Sequence, residues 1–265
     1  MNSTLQSSRD GAVATLTLNR PASLNALDLD MIEALVAQTT ALAADPSVRC
    51  VIVNGAGKHF MAGGDIRWFA SELSLSPEAR QQRFAAIITR VHAVIESIHR
   101  MPQPVIASVH GAVAGFGLSL LGACDLAIAA DDAYFTSAYR HIGSTPDGGS
   151  TWTLPRLVGT RKAMEMVLLA PRFNAAEALR IGLVNSIVGC DELAAATTAM
   201  AEAIASGPPL AIANAKRLIN QSLGRSLSEQ LAAEAASFGA CAATDDFAEG
   251  IRAFLEKRPP RFESP

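Results

Sequence analysis

A chain of 265 residues, 49% hydrophobic and only 5% aromatic, is long enough to bury a substantial core in one large α/β domain, or in one domain with a helical appendage. The formal net charge of −3 and the lack of a long Lys/Arg run exclude nucleic acid as the expected main partner, because that footprint needs a basic face. No cationic segment leads into an apolar one at the start, and no apolar run approaches about 20 residues, so neither a secretory signal nor a membrane span is expected.

The four cysteines, Cys50, Cys124, Cys190 and Cys241, are widely separated and form no C-x-x-C pair. Neither a zinc site nor a disulfide framework is expected; the reading is burial of all four in a reducing, cytoplasmic setting.

AVATLTLN (12–19) alternates as a strand and stops at Arg20-Pro21. From Asp28 to Ala43 apolar residues recur at helical spacing, with Asp28 as the N-cap and Asp45-Pro46 as the stop. CVIVNG (50–55) reads as a buried strand. A loop and then a helix covering a site are expected between Ser71 and Arg100. PVIASVHG (104–111) is strand, LSLLGACD (118–125) helix-like, and LAIAAD (126–131) strand again. Strands separated by helices predict an α/β fold with a parallel or mixed sheet. After Gly207-Pro208 the pattern is helical only, which places a boundary near residue 206 and separates a core, 1–206, from a helical region, 207–265.

Two glycine-rich turns follow strands, HFMAGGDI (59–66) and GAVAGFGLS (111–119). Glycines there let backbone N–H groups approach a ligand, and a helix start concentrates donors, so two such turns together can build an oxyanion hole. Other motifs fail on spacing. After Gly115-x-Gly117 a dinucleotide fingerprint would need its third glycine at Leu120, no P-loop or H-E-x-x-H occurs, and Ser119 sits outside a G-x-S-x-G elbow. The remaining oddity is HIGSTPDGGSTW (141–152), a lone carboxylate, Asp147, in a Pro-Asp-Gly-Gly turn. An Asp there ordinarily braces its own turn.

Taken together, NRPASLNALD, FMAGGDIRWF, HGAVAGFGLSLLGACDLAIA, FTSAYRHIGSTPDGGSTWTLPRLVGTRKAMEM, AAEALRIGLVNSIV and the FLEKR tail resemble the crotonase (enoyl-CoA hydratase/isomerase) superfamily over nearly the whole chain. The resemblance implies a crotonase-like spiral of β-β-α turns in two roughly perpendicular sheets. It makes 207–265 a trimerisation region, so that the chain is expected to form a homotrimer or hexamer. It also implies an acyl-CoA thioester substrate, with coenzyme A carried by the substrate and no separate cofactor or metal.

By the same resemblance the N–H groups of Gly64 and Phe116 bind the thioester oxygen. Phe116 stands where glycine is usual, but a backbone donor does not depend on its side chain, and the ring would narrow the acyl pocket. The two glutamates of the hydratases fall on Ser119 and Tyr139, neither of which can serve as a carboxylate. Asp147 falls where Asp-using isomerase branches keep their proton carrier, and where aryl-CoA dehalogenases keep a nucleophile. Tyr139 would hydrogen-bond the substrate or sit in the core. Ser23, Leu24, Ala62, Asp65 and Ile66 would flank coenzyme A, while Phe254 and Lys257 would close over its adenosine end, from a neighbouring subunit. Asp65 is also a candidate brace for its turn, Asp125 reads as structural, and His92 lies near the position of a dehalogenase histidine without being assigned a role.

The expected activity is therefore enoyl-CoA isomerisation through a stabilised enolate. Hydration is the alternative, with dehalogenase, thioesterase or a silent acyl-CoA- or RNA-binding member behind it.

Overall fold

The computed structural model describes residues 3–262. Strand β1 (Leu5–Asp10) runs antiparallel to β2 (Val13–Leu18). Helix α1 (Leu29–Ala44) starts at Asp28, whose carboxylate accepts from the Met31 N–H as an N-cap. It leads into β3 (Cys50–Gly55), parallel to β2. Short α2 (Ile66–Ser71) and the 24-residue α3 (Pro77–Arg100) then cross to β4 (Val105–Val109), parallel to β3. Ser76 caps α3 and Pro77 opens it, a pairing that suits the first helical turn because Pro lacks the N–H that would go unbonded there.

Next come β5 (Ala112–Ala114), α4 (Phe116–Ala123), β6 (Leu126–Ala130) and β7 (Tyr134–Thr136), followed by α5 (Ser150–Val158), α6 (Thr160–Leu168), β8 (Phe173–Asn174), α7 (Ala175–Arg180) and β9 (Ser186–Val188). The larger sheet has the order β1-β2-β3-β4-β6-β9, all parallel except for β1, and β5-β7-β8 form a second, small sheet. This is the expected α/β arrangement.

The central strand β4 is buried along its whole length, VIASV, because helices cover both faces of the sheet. Val51, Val53, Val105 and Ala107 point into a core shared with Leu35 of α1 and Val91 and Val94 of α3. The alternate residues Cys50, Ile52 and Ile106 meet Ala201 on α8 (Leu193–Ala205). Each fully buried aliphatic side chain contributes about 1.5–3 kcal/mol. With packing on both faces the C-terminal ends of β3 and β4 are fixed, and the two glycine-rich turns leave from those ends.

The tail holds α9 (Pro209–Ser222), α10 (Leu227–Ala242) and α11 (Asp245–Glu256). Helix α9 is pinned to the core by Lys216, whose buried Nζ donates to the carbonyls of Ile98 and Gln103 and pairs with Asp125 at 2.7 Å. Asp125 also accepts from the Val105 N–H, as its structural reading requires.

Only Leu5 of β1 is buried, and backbone pairing with β2 holds the rest. Two expectations need correcting. Helix α4 begins at Phe116 rather than 118, because Gly115 at φ +52° turns the chain directly into it. Of the four cysteines expected to be buried, only Cys50 is, its thiol pushed up to about 12 by burial; Cys124 and Cys241 are half-buried, and Cys190 is exposed with its thiol donating to Asp131 Oδ1 at 3.2 Å. Among the described residues no helix is long and apolar enough to cross a membrane.

Candidate active site

Backbone pairing sets the two glycine-rich turns side by side. Met61 N–H donates to the Ala112 carbonyl and Ala114 N–H to that of Met61, so the segment after β3 runs along β5. Beyond this short ladder the turns touch: a Cβ on Gly63 (φ +99°) would stand 3.6 Å from the Phe116 nitrogen, and one on Gly115 would stand 3.3 Å from the Gly63 Cα. Backbone bonds near Gly64 join Leu27 N–H to the Gly63 carbonyl and Asp65 N–H to that of Leu27, while Leu118 and Ser119 N–H groups donate to Gly115. Among the described residues this leaves the N–H of Gly64 and the N–H of Phe116, the first residue of α4, without a protein acceptor. A helix start adds partial positive charge at Phe116.

Asp147 is brought to the same place through the side chain of Ser119. Its Oγ, one turn along α4, donates to the Asp147 carbonyl at 2.9 Å, and Ser150 Oγ donates to that carbonyl at 3.0 Å. Gly148 (φ +56°) is wedged against α4, for a Cβ there would lie 2.8 Å from the Phe116 ring and from the Ser119 Cβ. The Asp147 carboxylate is half-buried. Tyr139, in a 3-10 turn at residues 139–142, donates its hydroxyl to Oδ1 at 2.5 Å and lies 3.1 Å from Ser119 Oγ. No donor reaches Oδ2 among the described residues.

Burial raises the Asp147 pKa above its ordinary value, with the Tyr139 hydrogen bond pulling the other way. The Tyr139 hydroxyl is itself pushed up, first by burial and then by the Asp147 charge, and so stays a proton donor. An oxygen tied by a hydroxyl and a second oxygen left open suit a base that must aim at a carbon acid.

The remaining predicted residues divide into two groups. Leu24 (φ +55°, 44% exposed) accepts from the Ala62 N–H, and with Ser23, Ala62, Asp65 and the exposed Ile66 it forms a continuous rim beside the Gly63-Gly64 turn. Within that rim the Asp65 carboxylate is committed: it caps α2 through the Arg67 and Trp68 N–H groups and pairs with Arg20 at 2.8 Å, so its side chain acts as a brace. Phe254, 82% exposed, and Lys257, the left-handed cap of α11, lie on the tail, and no hydrogen bond or ring contact joins them to the rim among the described residues. The sequence reading missed the aromatic group Trp68, Phe69 and Phe84, whose rings meet at centroid distances of 5.1–5.4 Å. The Phe69 ring covers Gly64, 2.6 Å from where a Cβ would stand. Helical spacing across α2 and α3 was the available signal.

Two backbone donors on adjoining turns, with one partly desolvated carboxylate held against the same helix start, define a site for polarising a carbonyl and moving a proton beside it. Comparison with known proteins gives that site a family. The profile for enoyl-CoA hydratase/isomerase matches residues 8–265. Crotonyl-CoA hydratase of Syntrophomonas wolfei is 40% identical over 97% of this chain and 96% of its own length. The peroxisomal Delta(3,5)-Delta(2,4)-dienoyl-CoA isomerase of Arabidopsis thaliana is 34% identical over 97% and 95%. A solved enoyl-CoA hydratase from Polaromonas sp. JS666 superposes with a TM-score of 0.91 at 35% identity, covering 98% of this chain and 99% of that one. The chain belongs to the enoyl-CoA hydratase/isomerase family and has the crotonase fold.

Proposed function

We propose that the protein is an enoyl-CoA isomerase, shifting a double bond along an acyl-CoA thioester through an enolate. The observation that carries this reading is the solitary Asp147: Ser119 and Tyr139 stand where a hydratase would hold its glutamates, and both are hydrogen-bonded to the Asp147 turn. Adding water to a C=C bond needs one group to activate water and another to manage the α-proton. Isomerisation needs a single base that takes a proton from one carbon and returns it to another.

The thioester oxygen accepts from the N–H groups of Gly64 and Phe116, and these donors strengthen their hold as charge moves onto that oxygen. Oδ2 of Asp147 removes the proton at C2 of a 3-enoyl thioester, leaving a dienolate, and the same proton returns at C4 as the 2,3 double bond forms. Tyr139 keeps Oδ1 occupied and so aims Oδ2. Coenzyme A lies along the rim of Ser23, Leu24, Ala62, Asp65 and Ile66, with no further cofactor required.

The exposed apolar residues of the tail, among them Ile219, Leu223, Leu227 and Phe238, support assembly as a homotrimer or hexamer. In such an assembly a neighbour's Phe254 and Lys257 would close over the adenosine end. Sedimentation equilibrium tests the assembly, and a monomer would remove it.

The activity is tested by mixing the enzyme with a 3-enoyl-CoA and, separately, a 2-enoyl-CoA, while following product mass and the ultraviolet absorbance of the conjugated thioester. Unchanged mass with growing conjugation from the 3-enoyl substrate is expected. Gain of one water by the 2-enoyl substrate, without isomerisation of the other, would instead make the protein a hydratase.

A further inference from the structure

The turn that carries Asp147 has a fourth tether, on a different element. His92, half-buried on α3, accepts the Gly148 N–H through Nε2 at 3.3 Å. A ring nitrogen that accepts is unprotonated, so the neutral imidazole carries its proton on Nδ1. One turn further along α3, Ile95 packs under Gly149, 3.5 Å from where a Cβ would be. Phe84, Ile88 and His92 are spaced four residues apart and share one face of that helix. Phe84 meets Phe69, the ring that covers Gly64.

One helix therefore touches both halves of the site, the oxyanion turn through aromatic rings and the Asp147 turn through a single hydrogen bond. The other tethers of that turn come from Ser119, Ser150 and Tyr139, which lie on α4, on α5 or in the turn preceding it, and they hold the Asp147 carbonyl and carboxylate. Among the described residues only His92 holds the Gly148 nitrogen, in a stretch where Gly148 and Gly149, both at positive φ, offer little resistance to rotation.

We infer that His92 is a positioning residue that sets the angle of the Asp147 carboxylate by accepting the Gly148 N–H, without itself exchanging a proton with substrate. This rests on the reading of Asp147 as the proton carrier. Its effect should fall on kcat, because a swing of about 1 Å in the base costs up to about 100-fold in rate while substrate binding through the rim is untouched.

The test uses the full chain and the 3-enoyl-CoA substrate, with His92→Leu, His92→Gln and Asp147→Asn. His92→Leu keeps the bulk and loses the acceptor; its kcat is expected to fall 10- to 100-fold with KM within about threefold of wild type. His92→Gln offers Oε1 in place of Nε2 and is expected to regain most of the lost rate. Nitrogen-15 spectra of histidine-labelled wild-type protein, which need no turnover, should find His92 with its proton on Nδ1.

Wild-type kcat in His92→Leu beside a dead Asp147→Asn would overturn the inference and leave Asp147 in place. Equal loss in Leu and Gln would overturn it in favour of an imidazole that moves protons itself, and a proton on Nε2 would exclude the bond outright. Full turnover by Asp147→Asn would remove the proton carrier, and with it both readings.

Discussion

The two halves of the site solve different problems. The half proposed to bind the thioester oxygen is made of main chain: Gly63 and Gly115 bend the backbone into conformations that other residues resist, and the donors belong to whichever residues follow. The Asp147 half is made of side chains, with Ser119, Tyr139, Ser150 and His92 each supplying a hydrogen bond to one short turn. A side-chain change at Phe116 therefore leaves the chemistry of the first half intact. By contrast, the proposed chemistry of the second depends on Ser and Tyr at 119 and 139. Glycine conformation guards one half and residue identity the other.

Asp147→Asn should be the most damaging change, lowering kcat about 10²- to 10⁴-fold in the isomerisation assay. The same variant should be more stable than wild type at neutral pH. Burial raises the folded carboxyl above its unfolded value, so wild-type stability is greatest below the unfolded pKa and falls as pH rises through the folded one. Thermal melts of both proteins from pH 4 to 8 should therefore diverge as pH increases; parallel curves would mean that the carboxylate is not desolvated.

Gly63→Ala, at φ +99°, strains the other half and shifts a donor, with an expected loss of about 10²- to 10³-fold in kcat. Next comes Tyr139→Phe, expected to cost about 10-fold in kcat, since it removes one neutral donor worth about 1.4 kcal/mol here. Because that hydroxyl lowers the Asp147 pKa, its removal should move the acid limb of the rate profile to higher pH, and an unmoved limb would separate Tyr139 from the base. Phe116→Leu should matter least, within about threefold in kcat, because the N–H stays; a large loss would show that the ring and not the backbone is what the turn supplies.

Much of this was open to inspection in the chain. The buried strands at 50–55 and 104–111 announce themselves by apolar runs ending in glycine, the one at 126–131 by an apolar run ending at Asp131-Asp132, and α1 by its Asp28 cap. Asp147 stood out as a carboxylate with no charged neighbours in sequence. Strand β1 did not, because with one face in solvent and only Leu5 buried it carries no alternation; its order comes from backbone pairing with β2. The strands of the small sheet are only two or three residues long, too short for any period. Tyr139's bond to Asp147 passes over a turn entered by Ala138 at φ +59°, a conformation that alanine does not advertise. His92 reaches Gly148 across 56 residues, and only the packing of α3 on the sheet makes them neighbours.

Lys216 sits on α9, yet its three acceptors, Ile98, Gln103 and Asp125, all come from the first half of the chain. During synthesis the end of α3 and the start of β4 must wait, with a buried carboxylate uncompensated, until α9 has left the ribosome. A chain stopped at residue 206 would therefore lack a keystone of the sheet it otherwise encodes in full, and native-like folding during translation should begin only after α9 emerges.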